Sequence, residues 1–133
     1  MPQLDGSCFC GAVQYDLPDE LEYAGYCHCS QCRKFSGSSY AVVGGIPGAK
    51  FKVISGEDRI TYFQKSEETT VGFCSICGSN LFTRKKSNGM LNLRLGTLNQ
   101  APSLRPHMHI HVGSKAEWDE ILDGLPQFME GPV

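Results

Sequence analysis

Long apolar runs are missing: nothing approaches the ~18 consecutive apolar residues a membrane-spanning helix needs. Met1 to Cys8 carry neither a positively charged stretch nor an apolar one, so no signal peptide is expected. Basic excess is missing too. A formal charge of -2 and a pI near 6.0 leave no electrostatic footprint for nucleic acid or an anionic membrane. Helical periodicity is scarce, and there is no internal repeat, low-complexity tract or linker. These absences describe a cytoplasmic chain of 133 residues, which fits one domain spanning 1–133. The hydrophobic fraction is 41%, while glycine (15) and proline (7) are plentiful, as expected of many short elements joined by tight turns.

What is present is alternation. Val13, Tyr15 and Leu17 alternate with polar neighbours, as do Leu91, Leu93 and Leu95, and the row Met108, Ile110 and Val112 alternates with His107, His109 and His111. Period-2 patterns of this kind predict half-buried strands. Further strands are expected over Ser39–Val43 and Thr69–Phe73. A hairpin is expected from Phe51–Ser55 and Arg59–Gln64, joined at Gly56-Glu57-Asp58. One helical turn is expected around Ser30–Phe35 and another around Lys115–Leu122. Asn88-Gly89 and Gln100-Ala101-Pro102 read as turns. The fold class is mainly β, with one or two short helical turns.

Seven cysteines need a reason. In a reducing compartment a disulfide framework is not expected, and an odd number cannot all pair within one chain. Cys8 and Cys10 form C-x-C, Cys27, Cys29 and Cys32 form C-x-C-x2-C, and Cys74 and Cys77 form C-x2-C. Such clusters suit zinc, which takes four ligands at short range. The Cys74–Cys77 knuckle, with Gly78 available for a positive φ, needs two more ligands, and Cys8 with Cys10 is the other separate pair. Joining them gives a closed, structural four-cysteine site. It leaves Cys27, Cys29 and Cys32 as a compact three, and catalytic zinc sites keep a position open. Two Zn²⁺ per chain are expected. With every cysteine a thiolate the formal charge falls from -2 to -9, and two Zn²⁺ return it to -5. The three-thiolate site then carries a local -1, so a soft thiol suits its fourth position.

The segments Gly6-Ser7-Cys8-Phe9-Cys10-Gly11-Ala12-Val13, Cys27-His28-Cys29-Ser30-Gln31-Cys32-Arg33 and Phe73-Cys74-Ser75-Ile76-Cys77-Gly78 resemble the glutathione-dependent formaldehyde-activating enzyme family, which includes centromere protein V-like domains. The tail His109-Ile110-His111-Val112-Gly113-Ser114-Lys115-Ala116-Glu117-Trp118 and Leu125-Pro126-Gln127-Phe128 are similar to that family's ending. The match runs in order over nearly the whole chain. It implies a small fold of twisted, tent-like antiparallel sheets. It also implies structural zinc on Cys8, Cys10, Cys74 and Cys77 and catalytic zinc on Cys27, Cys29 and Cys32. The activity implied is addition of glutathione, or a related small-molecule thiol, to formaldehyde. Read backwards this is carbon–sulfur lyase chemistry. Phe9 stands where many relatives have histidine, and His111 where many have an aromatic residue. No general base is apparent.

Other residues have plainer expectations. His107 and His111 would stand about 13 Å apart on one strand, too far to share a metal, so the histidine row is expected to be an exposed or interface face. His28 is expected to point away from the metal. Ser30 and Gln31, inside the metal loop, are substrate-contact candidates, although they could equally form the turn. Arg33 and Lys34 read as a solvated loop before glutathione-binding cations, Arg84-Lys85-Lys86 as a charged strand end, and Trp118 as a core or interface anchor. Three rival functions stand beside the enzyme. One is a zinc-ribbon binding module with both metals structural; the acidic balance and the missing fourth ligand near Cys32 count against it. Another is a redox or iron–sulfur protein, although Cys74–Cys77 lacks the βαβ context of a thioredoxin-like motif. The third is a thiol carrier without turnover.

Overall fold

Ten strands and one short α-helix account for the regular structure of residues 3–131, the part described by the computed structural model. The strands are β1 (Gln3–Ser7), β2 (Gln14–Pro18), β3 (Tyr23–Cys27), β4 (Ala41–Pro47), β5 (Lys52–Ser55), β6 (Ile60–Gln64), β7 (Thr69–Cys74), β8 (Asn80–Lys85), β9 (Met90–Arg94) and β10 (His109–Ile110). The helix α1 (Ser30–Ser36) lies between β3 and β4. Three strands form one antiparallel sheet in the order β1-β2-β5, and seven form a second in the order β10-β3-β4-β9-β8-β7-β6. All pairings in the larger sheet are antiparallel except β10 with β3. The mainly β expectation holds.

Side-chain alternation divides the larger sheet into two unlike faces. Leu91 and Leu93 of β9, Phe82 of β8 and Ile46 of β4 pair across neighbouring strands and point to one side. There they meet Leu4, Tyr15 and Leu17 of the smaller sheet, with Leu21 and Phe51 closing the layer, in a single buried cluster. The intervening residues point the other way: Tyr23 and Cys27, Val43, Asn92 and Arg94, Thr83 and Lys85, and Thr69. That second face is polar and positions the site described below.

Several elements differ from expectation. The segments before and after Gly56 do not form a hairpin: β5 pairs with β2 and β6 with β7, in different sheets. Gly56 adopts φ +84°, so close to the loop before β2 that a Cβ there would lie 1.9 Å from the Ala12 carbonyl oxygen. A 3₁₀ turn over Glu57–Arg59 then redirects the chain. Leu95 leaves its strand for another 3₁₀ turn. No helix forms over Lys115–Leu122; the Lys115 ammonium donates to the Asp119 carbonyl at 2.6 Å, tying off a turn. Trp118 is not a core residue: it is 74% exposed, its indole N–H donating to Ser39 Oγ at 2.9 Å. The histidine row shrinks to a two-residue strand, and His109 is buried at 4% exposure. His111 carries the one positive φ (57°) among the described non-glycine residues, which breaks the alternation at that point.

Candidate metal centres and the adjoining cleft

The four-cysteine cluster bridges the two sheets. Cys8 and Cys10 lie in the turn between β1 and β2, Cys74 ends β7, and Cys77 sits in the turn before β8. Their sulfurs all lie within 4.8 Å of one another. In a tetrahedron of zinc–sulfur bonds of about 2.3 Å, sulfurs stand about 3.8 Å apart. Cys8 Sγ lies 3.6 Å from Cys10 Sγ, and Cys10 Sγ 3.8 Å from Cys74 Sγ, so spacing and donor type both fit zinc. The turns also supply amide donors to the sulfurs. Val13 N–H donates to Cys8 Sγ at 3.3 Å, and the amides of Ile76 and Cys77 donate to Cys74 Sγ at 3.4 Å each. Gly78, at φ +81°, permits the tight turn of the knuckle. Ser79 holds its hydroxyl 3.2 Å from Cys77 Sγ and, with its backbone amide, draws that thiol down to about 5.

Cys27, Cys29 and Cys32 form the second cluster, again with sulfurs within 4.8 Å. Among the described residues no fourth histidine, cysteine or carboxylate joins them. Cys27 ends β3, and Cys29 caps α1 with its sulfur accepting from Cys32 N–H at 3.3 Å, so the helix start brings Cys32 onto the other two. Gly37, left-handed at φ 64°, ends the helix. The Cys27 and Cys32 thiols, followed by the amides of Cys32 and Gln31, hold Cys29 well below the ordinary thiol range.

These three cysteines open onto a cleft of about 530 Å³ on the polar face of the larger sheet. Ser30 and Gln31 line it, as do three cations, Lys65, Lys85 and Arg94, and among the described residues no carboxylate does. His111, left-handed at φ 57°, lines it as well. Arg33 and Lys34 do not belong there; they border a separate hollow beside Trp118. Neither Lys65 nor Arg94 stands near the metal loop in sequence. The signal for Arg94 lay in the alternation of β9, where an arginine follows two core leucines on the opposite face.

His28 points away from the sulfurs and is fully buried. Its Nε2 lies 2.8 Å from His109 Nδ1, and His109 Nε2 lies 2.8 Å from Asp123 Oδ2. Because the carboxylate accepts, His109 donates through Nε2; with a neutral imidazole its Nδ1 then accepts, and His28 donates to it. This chain runs from the residue between Cys27 and Cys29 to the C-terminal segment. Backbone bonds run beside it: His28 N–H donates to the Ile110 carbonyl, and Phe128 N–H to that of His109. Burial first, then the neighbouring His109, pushes His28 below its usual 6.5. The native state therefore binds this proton less readily than the unfolded chain, and the stability that neutral His28 confers, full above about 6.5, is lost as pH falls below that value and through the lower native pKa. The zinc-loaded wild type should lose more of its urea midpoint between pH 8 and pH 5.5 than His28→Gln, whose amide can still donate to His109. Equal losses would show that His28 does not contribute to acid sensitivity.

Comparison with known proteins places these features in a family. The glutathione-dependent formaldehyde-activating enzyme family matches residues 3–114. A Halomonas elongata protein provisionally named as such an enzyme is 29% identical over 126 residues, covering 89% of this chain and 80% of that protein. A Talaromyces marneffei protein of the same provisional name is 32% identical over 79 residues, 58% of this chain. That alignment spans only 42% of the fungal protein's length. A crystal structure of a Rhodobacter sphaeroides protein superposes with a TM-score of 0.62 at 25% identity, covering 74% of this chain and 91% of that one.

Proposed function

Because the chain belongs to the glutathione-dependent formaldehyde-activating enzyme family, we propose that it joins a small thiol such as glutathione to formaldehyde, with residues 1–133 acting as one zinc domain. One observation carries this reading: three cysteine sulfurs, without a fourth protein ligand among the described residues, stand at an open cleft lined by cations and no carboxylate. Cys27, Cys29 and Cys32 hold a zinc ion there, and Cys8, Cys10, Cys74 and Cys77 hold a second, structural one. Bound zinc lowers the pKa of a thiol and fixes its sulfur in place.

The chain's own residues do the rest. Lys65 and Lys85 attract the carboxylates of glutathione, while Ser30 and Gln31, exposed at the start of α1, contact the peptide. Lys85 is steadied by its 3.0 Å bond to Thr69 Oγ1. Tyr23 and Asn92, hydrogen-bonded to each other, form part of the floor. Holding thiol and aldehyde together contributes through proximity, since the reaction needs little further activation. A carbon–sulfur bond forms, the carbonyl oxygen takes a proton, and the product is S-hydroxymethylglutathione; the reverse is a carbon–sulfur lyase reaction.

Cobalt in place of zinc provides the test. Glutathione should intensify the sulfur-to-metal charge-transfer band, and S-methylglutathione, which cannot form a thiolate, should leave it unchanged. An equal response to both would mean that the tripeptide and not its sulfur is recognised. Turnover is read separately, by exchange NMR of S-hydroxymethylglutathione formation above the uncatalysed rate. Binding without acceleration would make the protein a thiol carrier.

A further inference from the structure

Arg94 is a buried cation without a carboxylate. It is 9% exposed, its Nε has no hydrogen-bond partner, and the guanidinium's one hydrogen bond among the described residues is a long 3.5 Å contact from Nη1 to the Asn92 carbonyl. Among the described residues no aspartate or glutamate pairs with it. An unpaired buried charge costs several kcal/mol, so a position like this persists only where something compensates it. Register identifies what does. Arg94 pairs with Val43 of β4, and Cys27 of β3 pairs with Ala41 two residues along the same strand, so both side chains rise from one face into one cleft. Burial lowers the Arg94 pKa, and Cys32, Cys27 and Cys29 oppose that effect in that order.

We infer that Arg94 is the counter-ion of the three-cysteine site, the residue whose charge lets a fourth, anionic sulfur join the other three. The inference rests on the open-site reading above and adds a residue to it. Three thiolates and Zn²⁺ sum to -1, and an arriving thiolate would raise this to -2 in a partly buried place. With Arg94 counted, the site is neutral before the thiol arrives and carries -1 afterwards. Lys cannot reproduce the guanidinium's planar set of donors but does reproduce its charge. The effect acts on the ligand's sulfur, so it extends to thiols that have no carboxylate.

The experiment compares zinc-loaded wild type with Arg94→Met, Arg94→Gln and Arg94→Lys. Methionine fills a similar volume and replaces a buried ion without leaving an unpaired charge. Zinc content and thermal unfolding are measured first, and binding of glutathione and of uncharged 2-mercaptoethanol is then followed by calorimetry. Arg94→Met should keep two zinc ions and lose about tenfold or more in affinity for both thiols, with Arg94→Lys recovering most of it. If Met does not fold, Arg94→Gln is read in its place. Unchanged affinity in the neutral variant overturns the inference. So does a loss confined to glutathione, which would make Arg94 a carboxylate contact. Failure of the wild type to bind either thiol refutes the open-site reading itself, a result distinguishable from both.

Discussion

Replacing Cys74 by Ala should abolish the native fold, giving a chain that elutes as aggregate and shows no cooperative thermal transition. Cys74 ends β7, is fully buried within the hydrophobic cluster, and its sulfur lies 3.8 Å from that of Cys10, in the turn that joins β1 and β2 of the other sheet. Structural zinc contributes about 10–16 kcal/mol of apparent binding free energy that is also folding free energy. The total stability of a domain is about 5–15 kcal/mol, so losing that metal leaves nothing in reserve. Cys29→Ala should behave differently. Cys29 is half-buried and caps a seven-residue helix, so its removal costs about 0.5–2 kcal/mol in capping and one zinc ion, while the fold remains. Metal analysis and circular dichroism of the two variants decide the matter, and equal unfolding in both would refute the division of labour between the sites. The double variant Cys8→Ala/Cys74→Ala should be no worse than Cys74→Ala alone, the result expected of two ligands to one ion.

Phe82→Ala should cost about 3–5 kcal/mol, the next largest effect. Phe82 is fully buried on the core face of β8, with its ring 5.4 Å from that of Phe51 and the Arg84 guanidinium 5.4 Å above it. Gly72, its partner in β7, lacks a side chain because a Cβ there would lie 2.6 Å from the Phe82 ring. Truncating the ring leaves a cavity that the backbone at Gly72 cannot fill. The zinc-loaded variant should remain folded at 25 °C with both metals bound and a urea midpoint far below that of wild type. A midpoint within error of wild type would mean that the zinc sites, and not the core, set the stability of the larger sheet.

The cysteine clusters are legible in the sequence because their spacing is local. C-x-C and C-x2-C confine sulfurs to one turn, and the remaining step, joining Cys8 and Cys10 to Cys74 and Cys77, followed from counting pairs. The strand alternation around Tyr15 and Leu91 was legible for the same reason. Pairing was not. Nothing in Phe51–Gln64 says that β5 belongs to β2 and β6 to β7, since alternation shows which face of a strand is buried and not which strand lies beside it. The cleft residues were hidden in the same way: Lys65, Lys85 and Arg94 converge only after four strands have paired. Alternation with Met108 and Ile110 puts His109 on an exposed or interface face. A carboxylate fourteen positions later reverses that, making burial of the imidazole tolerable through a hydrogen bond.

The two-faced larger sheet has a consequence for how this protein can change over generations. Consecutive residues of β8 and β9 answer to different demands: Phe82, Leu91 and Leu93 to packing, Thr83, Asn92 and Arg94 to whatever enters the cleft. A substitution at the second set alters the chemistry on offer while the first set holds the strands in register. The scaffold can therefore drift toward a new ligand one cleft-lining position at a time, with the sulfur cage that rivets the two sheets left intact throughout.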